Sequence, residues 1–213
     1  MELFILILEL IGTVAFAVSG AMVALRKRMD VFGVIVLGLI TAVGGGIMRD
    51  LILGLTPPLT FIEPIYAITA IITSVVVFIL AAGRFISKNH RFYDKVMLVM
   101  DSIGLGVFSA NGVIIATEAG FADNIFLLLF VGTVTGVGGG VLRDLLAGDM
   151  PFILVRHIYA VAALAGATLA VLLLSLGIDA ATTMLAVTVV VVIIRLLSAH
   201  YKLNLPRCKE DIE

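Results

Sequence analysis

Residues 38–57 read GLITAVGGGIMRDLILGLTP, and residues 132–151 read GTVTGVGGGVLRDLLAGDMP. A shift of 94 superposes Gly44-Gly45-Gly46 on Gly138-Gly139-Gly140, Arg49-Asp50 on Arg143-Asp144, Gly54 on Gly148 and Pro57 on Pro151. Further on, a shift of 93 pairs Tyr66-Ala67 with Tyr159-Ala160. Upstream, a shift of 92 pairs Glu9 with Asp101, Phe16 with Phe108, Ser19 with Asn111 and Gly20 with Gly112. Apolar segments share small residues easily. GGGxxRDL followed at a fixed distance by proline is too specific for that explanation. The chain is an internal duplication.

Long apolar runs surround both copies. Of 213 residues, 62% are hydrophobic and 14% charged, with a mean hydropathy of +1.22. A soluble domain is nearer half apolar and a quarter charged. One core could not hide this much apolar surface, so lipid is the natural second solvent. Runs of the roughly 20 residues that span a bilayer lie at 3–25, 31–55, 62–83, 97–117, 124–147, 154–177 and 180–199. The expected fold is an all-α integral membrane protein of seven transmembrane helices. Residues 1–92 form a first three-helix repeat with a basic loop. Residues 93–178 form the second repeat, 179–199 a seventh helix, and 200–213 a polar tail. Three helices per copy is an odd number, so the second copy enters the membrane from the opposite side. Inverted repeats of this kind are common among transporters.

Orientation follows from the basic residues, which favour cytoplasmic loops. Arg26, Lys27 and Arg28 follow helix one. Arg84, Lys88, Arg91 and Lys95 follow helix three, and Lys202, Arg207 and Lys209 follow helix seven. Glu63, Glu118, Asp123 and Asp179 fall in the alternate loops. The N-terminus is expected outside and the C-terminus in the cytoplasm. Arg26–Arg28 come after the first apolar run, the reverse of a signal peptide.

Several function classes drop out. A net charge of −1 and a pI of about 6.3 give no basic surface for nucleic acid. Cys208 is the only cysteine, so neither an internal disulfide nor a cysteine metal cluster is possible. The chain has no HExxH and no GxSxG, and its GGG stretch lacks the Lys-Ser/Thr of a phosphate-binding loop. No catalytic group, metal or cofactor is expected.

The remaining candidates concern a solute path. Three consecutive glycines weaken a helix. A break at Gly44, Gly45, Gly46 or at Gly138, Gly139, Gly140 would free carbonyls that could replace water around a cation. The competing reading is close helix packing through small residues. Arg49, Asp50, Arg143 and Asp144 fall near helix ends, as pore-mouth or gating charges or as snorkelling side chains. Glu9 and Asp101 could concentrate cations or pair with an arginine. Ser19 and Asn111 sit near the midpoints of helices one and four, and are expected to line the path. The alternative for these two is an interhelical hydrogen bond worth about 0.6 kcal/mol. Arg84, Lys88, Arg91 and Lys95 could meet anionic lipid headgroups. His157 could titrate, or could be an ordinary interfacial residue.

The paired GGGxxRD helices, in three-helix repeats with a seventh helix, resemble the trimeric intracellular cation channels and, more narrowly, their prokaryotic homologues. The resemblance covers about residues 3–199. It implies a homotrimer in a bacterial inner membrane, with one pore per protomer permeable to potassium and other monovalent cations. It also implies kinks at the two triple glycines that shape an hourglass path. The basic KEV-type motif of the animal members is absent. Related bacterial sequences carry the name glycine transporter. An alternating-access carrier of a small zwitterion such as glycine is therefore the second expectation. A non-conducting, lipid-binding scaffold that uses the basic loop is the third.

Overall fold

A computed structural model describes residues 2–83, 90–155 and 158–203. Seven principal helices are present among them. They are α1 (Glu2–Arg26), α2 (Val31–Leu53), α3 (Ile65–Ala82), α4 (His90–Ala116), α5 (Ile125–Leu146), α6 (Tyr159–Ser175) and α7 (Ala180–His200). One-turn helices, Leu59–Ile62 and Phe152–Val155, precede α3 and α6. Six of the seven are long and apolar enough to span a bilayer. The exception is α6, at 17 residues, or about 26 Å at 1.5 Å per residue. The expected span at 154–177 is divided, because its first turn belongs to the separate helix Phe152–Val155. In the other direction, α4 begins at His90 rather than at 97 and ends in a π-helical turn, Thr117–Phe121.

The ends of these helices are written in the sequence. Asp30 caps α2 by accepting from Gly33 N (2.8 Å). Its repeat equivalent, Asn124, caps α5 by accepting from Leu127 N (3.0 Å). Asp179 does the same for α7 through Thr182 N (3.1 Å). Each satisfies an amide that the helix itself cannot. Gly54 (φ 73°) and Gly148 (φ 69°) take the left-handed conformation just beyond α2 and α5, where a side chain would be strained.

The expected helix break at the triple glycines is absent. Both α2 and α5 run unbroken through Gly44–Gly46 and Gly138–Gly140. The glycines instead let two helices touch. A Cβ on Gly45 would lie 2.2 Å from Thr135 O, and one on Gly139 would lie 2.0 Å from Thr41 O. These reciprocal contacts fix the crossing of α2 and α5. A second pair of repeat equivalents, Phe16 and Phe108, stacks with ring centroids 5.4 Å apart. Each copy packs in the same way: α1 on α2 and α3 in the first, α4 on α5 and α6 in the second.

α7 has no counterpart. It packs chiefly on α4 and α6, with a smaller contact to α1, and so covers mainly the second copy. α4 lies at the centre, with 72% of its apolar stretch buried, against 17% for α3. Accordingly α4 carries buried Asp101, Ser102, Ser109 and Asn111, while α3 turns Ile68, Ile72, Val76 and Ile79 outward. Exposed aromatic and aliphatic side chains such as Phe32, Phe61, Phe126 and Leu154 complete an apolar outer surface. The protein is a multi-pass membrane protein.

Candidate functional site

Two polar clusters lie inside the helix bundle, and the repeat relates them residue by residue. Each is built from one acid, one Arg-Asp pair and one tyrosine of its own copy, plus one polar residue from the other copy. The first contains Glu9, Arg49, Asp50, Tyr66 and Asn111. The second contains Asp101, Arg143, Asp144, Tyr159 and Ser19.

In both clusters the aspartate of the Arg-Asp pair does two jobs. Asp50 Oδ1 accepts from Arg49 Nε (2.7 Å), and its Oδ2 accepts from Leu59 N (2.8 Å). Asp144 Oδ1 accepts from Arg143 Nε (2.8 Å), and its Oδ2 accepts from Phe152 N (2.8 Å). The motif therefore ties the arginine to the one-turn helix that follows. Adjacent residues rarely face each other on a helix. Here the long arginine side chain folds back to reach its neighbour.

Beyond that shared base the clusters differ. Arg143 is fully buried. Its Nη1 donates to Asp101 Oδ1 (2.6 Å) and to Ser19 Oγ (2.6 Å). Ser19 Oγ in turn donates to Asp101 Oδ1 over 3.5 Å. The guanidinium lies 4.8 Å from the Phe152 ring, and Arg195 of α7 lies 4.6 Å from the Tyr159 ring. The snorkelling reading of Arg143 is excluded, because the side chain turns into the protein.

Arg49 forms no such knot. Among the described hydrogen bonds its only acceptor is Asp50. Glu9 Oε2 is held instead by the Tyr66 hydroxyl, which donates over 2.5 Å. Asn111 Oδ1 is buried without a hydrogen-bond partner. A cavity of about 30 Å³ opens between them, lined by Glu9, Thr13, Gly46, Arg49, Tyr66 and Asn111 among others. Gly46 faces this space. Its missing Cβ would meet nothing closer than Arg49 Nη2 at 3.8 Å. At Gly140 the same atom would sit 3.0 Å from Tyr159 Oη.

A second cavity, of about 370 Å³, lies toward the other end of α1. Arg26, Lys27, Tyr93, Met97, Asp144, Asp149 and Phe152 line it. Glu9 and Arg26 are 17 positions apart, or about 25 Å along the helix. Lys27 Nζ and Asp149 Oδ1 pair across its rim at 2.6 Å. The Tyr93 hydroxyl donates to Met22 O and joins α4 to α1. The α2–α5 crossing and the Arg143 cluster stand between the two cavities.

The sequence-derived candidates are thus gathered into two places. Glu9, Arg49, Asp50 and Asn111 meet at one, and Ser19, Asp101, Arg143 and Asp144 at the other. Ser19 and Asn111 do not share one site; each serves the cluster of the opposite copy. Tyr66 and Tyr159 are additions, although the repeat alignment already contained them. Arg195 had no sequence signal, because α7 has no repeat partner. Lys95 is exposed. Arg84 and Lys88, with Arg156 and His157, lie outside the described residues, as does the side chain of Arg91. No group of three or more metal-ligating side chains occurs among the described residues.

The sequence model of one membrane-protein family, described as glycine transporter, matches residues 6–82 and again 98–175. This chain belongs to that family. Its relatives include the UPF0126 inner membrane protein YadS of Escherichia coli K12, 38% identical and covering 93% of each chain. A UPF0126 membrane protein of Deinococcus radiodurans is 41% identical over 75% of this chain and 72% of its own. Among solved structures, a TRIC cation channel studied for its conductance superposes with a TM-score of 0.83 at 38% identity, covering 97% of this chain and 98% of its own. The trimeric intracellular cation channel orthologue of Rhodobacter sphaeroides gives 0.84 at 35%, covering 93% and 98%. The family member described here therefore has the TRIC cation channel fold. The resemblance drawn from its glycine and Arg-Asp motifs agrees with both comparisons. Family and fold are those of membrane channels and transporters, not of enzymes.

Proposed function

We propose that the protein is a potassium-permeable monovalent cation channel with one path per protomer. The observation that carries this is the placement of two polar cavities toward opposite ends of the bundle. Between them stand the α2–α5 glycine contact, the Phe16–Phe108 stack and the Arg143 cluster. Glu9 and Asn111 offer oxygen atoms to a cation at the first cavity, and Asp144 and Asp149 do so at the second. Gly45 and Gly139 form the constriction, with Gly44, Gly46, Gly138 and Gly140 shaping its approaches. Sequence identity over nearly the full length of solved cation channels supports the same reading.

The wider expectations go with it. The protomers assemble as a homotrimer in a bacterial inner membrane, where YadS is named as residing. The N-terminus is outside and the C-terminus cytoplasmic. The copies at 1–92 and 93–178 are inverted, and the basic segment Arg84, Lys88, Arg91 and Lys95 faces anionic lipid.

A carrier of a small zwitterion such as glycine is the second reading. One observation favours it: equivalent clusters of one protein stand in different states, one open and one closed, as alternating access requires. Purified protein in liposomes separates the two. Unitary currents reversing near the potassium equilibrium potential establish the channel. Saturable glycine uptake without such currents establishes the carrier.

A further inference from the structure

The closed cluster at Arg143 contains a complete description of how its open counterpart would close. Arg143 Nη1 reaches the acid of its own copy, Asp101, and the polar residue lent by the other copy, Ser19. The equivalents of those acceptors around Arg49 are Glu9 and Asn111. Both are in place. Both line the cavity that Arg49 also lines, and Asn111 Oδ1 is a buried acceptor without a donor. Arg49 is anchored through Nε to Asp50 in the same manner as Arg143 to Asp144. Its far end therefore has the anchor and the acceptors of a second knot.

We infer that Arg49, Glu9 and Asn111 form a latch equivalent to Arg143, Asp101 and Ser19, and that the two latches are coupled so that release of one favours closure of the other. The coupling route is short. Ser19 and Glu9 lie on the same helix, α1, and Asn111 and Asp101 lie on α4. Each latch thus clamps the same two helices, one toward each end. A small rotation of α1 against α4 that closes one grip opens the other. The α2–α5 contact at Gly45 and Gly139 and the Phe16–Phe108 stack lie between the grips, where a pivot is needed. Tyr66 is displaced from Glu9 when Arg49 closes. The Tyr159 hydroxyl, now without a partner, takes Asp101 when Arg143 leaves. This inference rests on the solute path proposed above. It adds that the strength of coupling decides the class of transport: complete exclusion gives a carrier, and partial exclusion leaves both ends open at times and conducts.

The test uses the full chain in nanodiscs, with Cys208→Ser and a single reporter cysteine at each cavity. Thr60→Cys reports on the first and Met97→Cys on the second. The probe is a small cationic methanethiosulfonate reagent. Arg143→Gln releases the second latch, and Ser19→Ala weakens it with less risk to folding. Either should speed labelling of Met97→Cys and slow labelling of Thr60→Cys. The slowing is about tenfold, the shift supplied by one charge-assisted hydrogen bond. Adding Asn111→Ala should restore labelling of Thr60→Cys. Thr60→Cys labelling that stays the same or rises in both variants would overturn the coupling. So would a failure of Met97→Cys to respond. Potassium current and glycine uptake are measured on the same preparations. Loss of both in the parent protein removes the transport reading and leaves the labelling result standing on its own.

Discussion

The Arg49 and Arg143 clusters hold the same kinds of residue, in the same order, on equivalent helices. One is the wall of a cavity and the other a sealed knot of charges. Local sequence cannot be the main cause, because the Arg-Asp anchors match within 0.1 Å. The causes lie around them. Phe152 lays a ring over Arg143, whereas its equivalent, Leu59, has none. Tyr159 is buried under α7 and faces Arg195, whereas Tyr66 is half-exposed with no eighth helix above it. Buried ion pairs are strong only where desolvation is matched by good geometry. α7 and Phe152 remove water from one pair and leave the other at the edge of a cavity.

Breaking this comparison should have its largest effect at Arg143. Arg143→Ala leaves Asp101 and Asp144 buried without their cation, a loss of about 3–5 kcal/mol. Arg49→Ala strands only Asp50 in direct contact, beside a cavity that admits water, and should cost clearly less. Chemical denaturation of the two variants in detergent, read by helical signal, gives the ranking; equal midpoints would refute the asymmetry.

Methyl groups at the glycines should come next. Gly45→Ala and Gly139→Ala each drive a Cβ into a carbonyl, and overpacking of this kind costs about 1–3 kcal/mol. Because the contacts are reciprocal, the two losses should match, which thermal unfolding can check. Gly46→Ala should be different. It fits without a clash, preserves stability, and lowers flux by narrowing the first cavity.

A smaller effect is expected from exchanging the covering groups. Phe152→Leu gives the second cluster the residue of the first. It should cost the roughly 2 kcal/mol of a desolvated cation–π contact and speed labelling of Met97→Cys. Leu59→Phe should slow labelling of Thr60→Cys.

The smallest effect concerns the helix that breaks the symmetry. Asp179 caps α7, and hydrogen bonds from Thr182 hold its carboxyl below the usual carboxylate range. A lowered folded-state value stabilises the protein above the unfolded value, and this contribution disappears as pH falls through the folded one. Unfolding midpoints should therefore drop in acid, and Asp179→Asn should flatten that part of the profile. An unchanged acid dependence would remove the cap from the account.

The repeat made four of the five residues of each cluster legible in the sequence. Glu9 with Asp101 and Ser19 with Asn111 were visible as pairs because functional groups at equivalent positions stand out against apolar background. Their grouping was not, because Ser19 and Asn111 cross to the opposite copy. Tyr66 and Tyr159 were in the alignment, yet a tyrosine at a helix start also reads as an interfacial anchor. The triple glycines were legible as close approaches or breaks. Packing chose the first, since each glycine met a neighbouring carbonyl and the helix kept its own hydrogen bonds.

By itself, the sequence determined a membrane-embedded helical duplication, most of its helix ends and the buried charges that the repeat pairs. Hydropathy, capping residues and repetition are properties of neighbouring positions along the chain. Only the tertiary structure decided which charges meet, which cavity stays open and which latch is shut. Those outcomes depend on water being excluded by groups far away in sequence, above all a seventh helix that the duplication never copied.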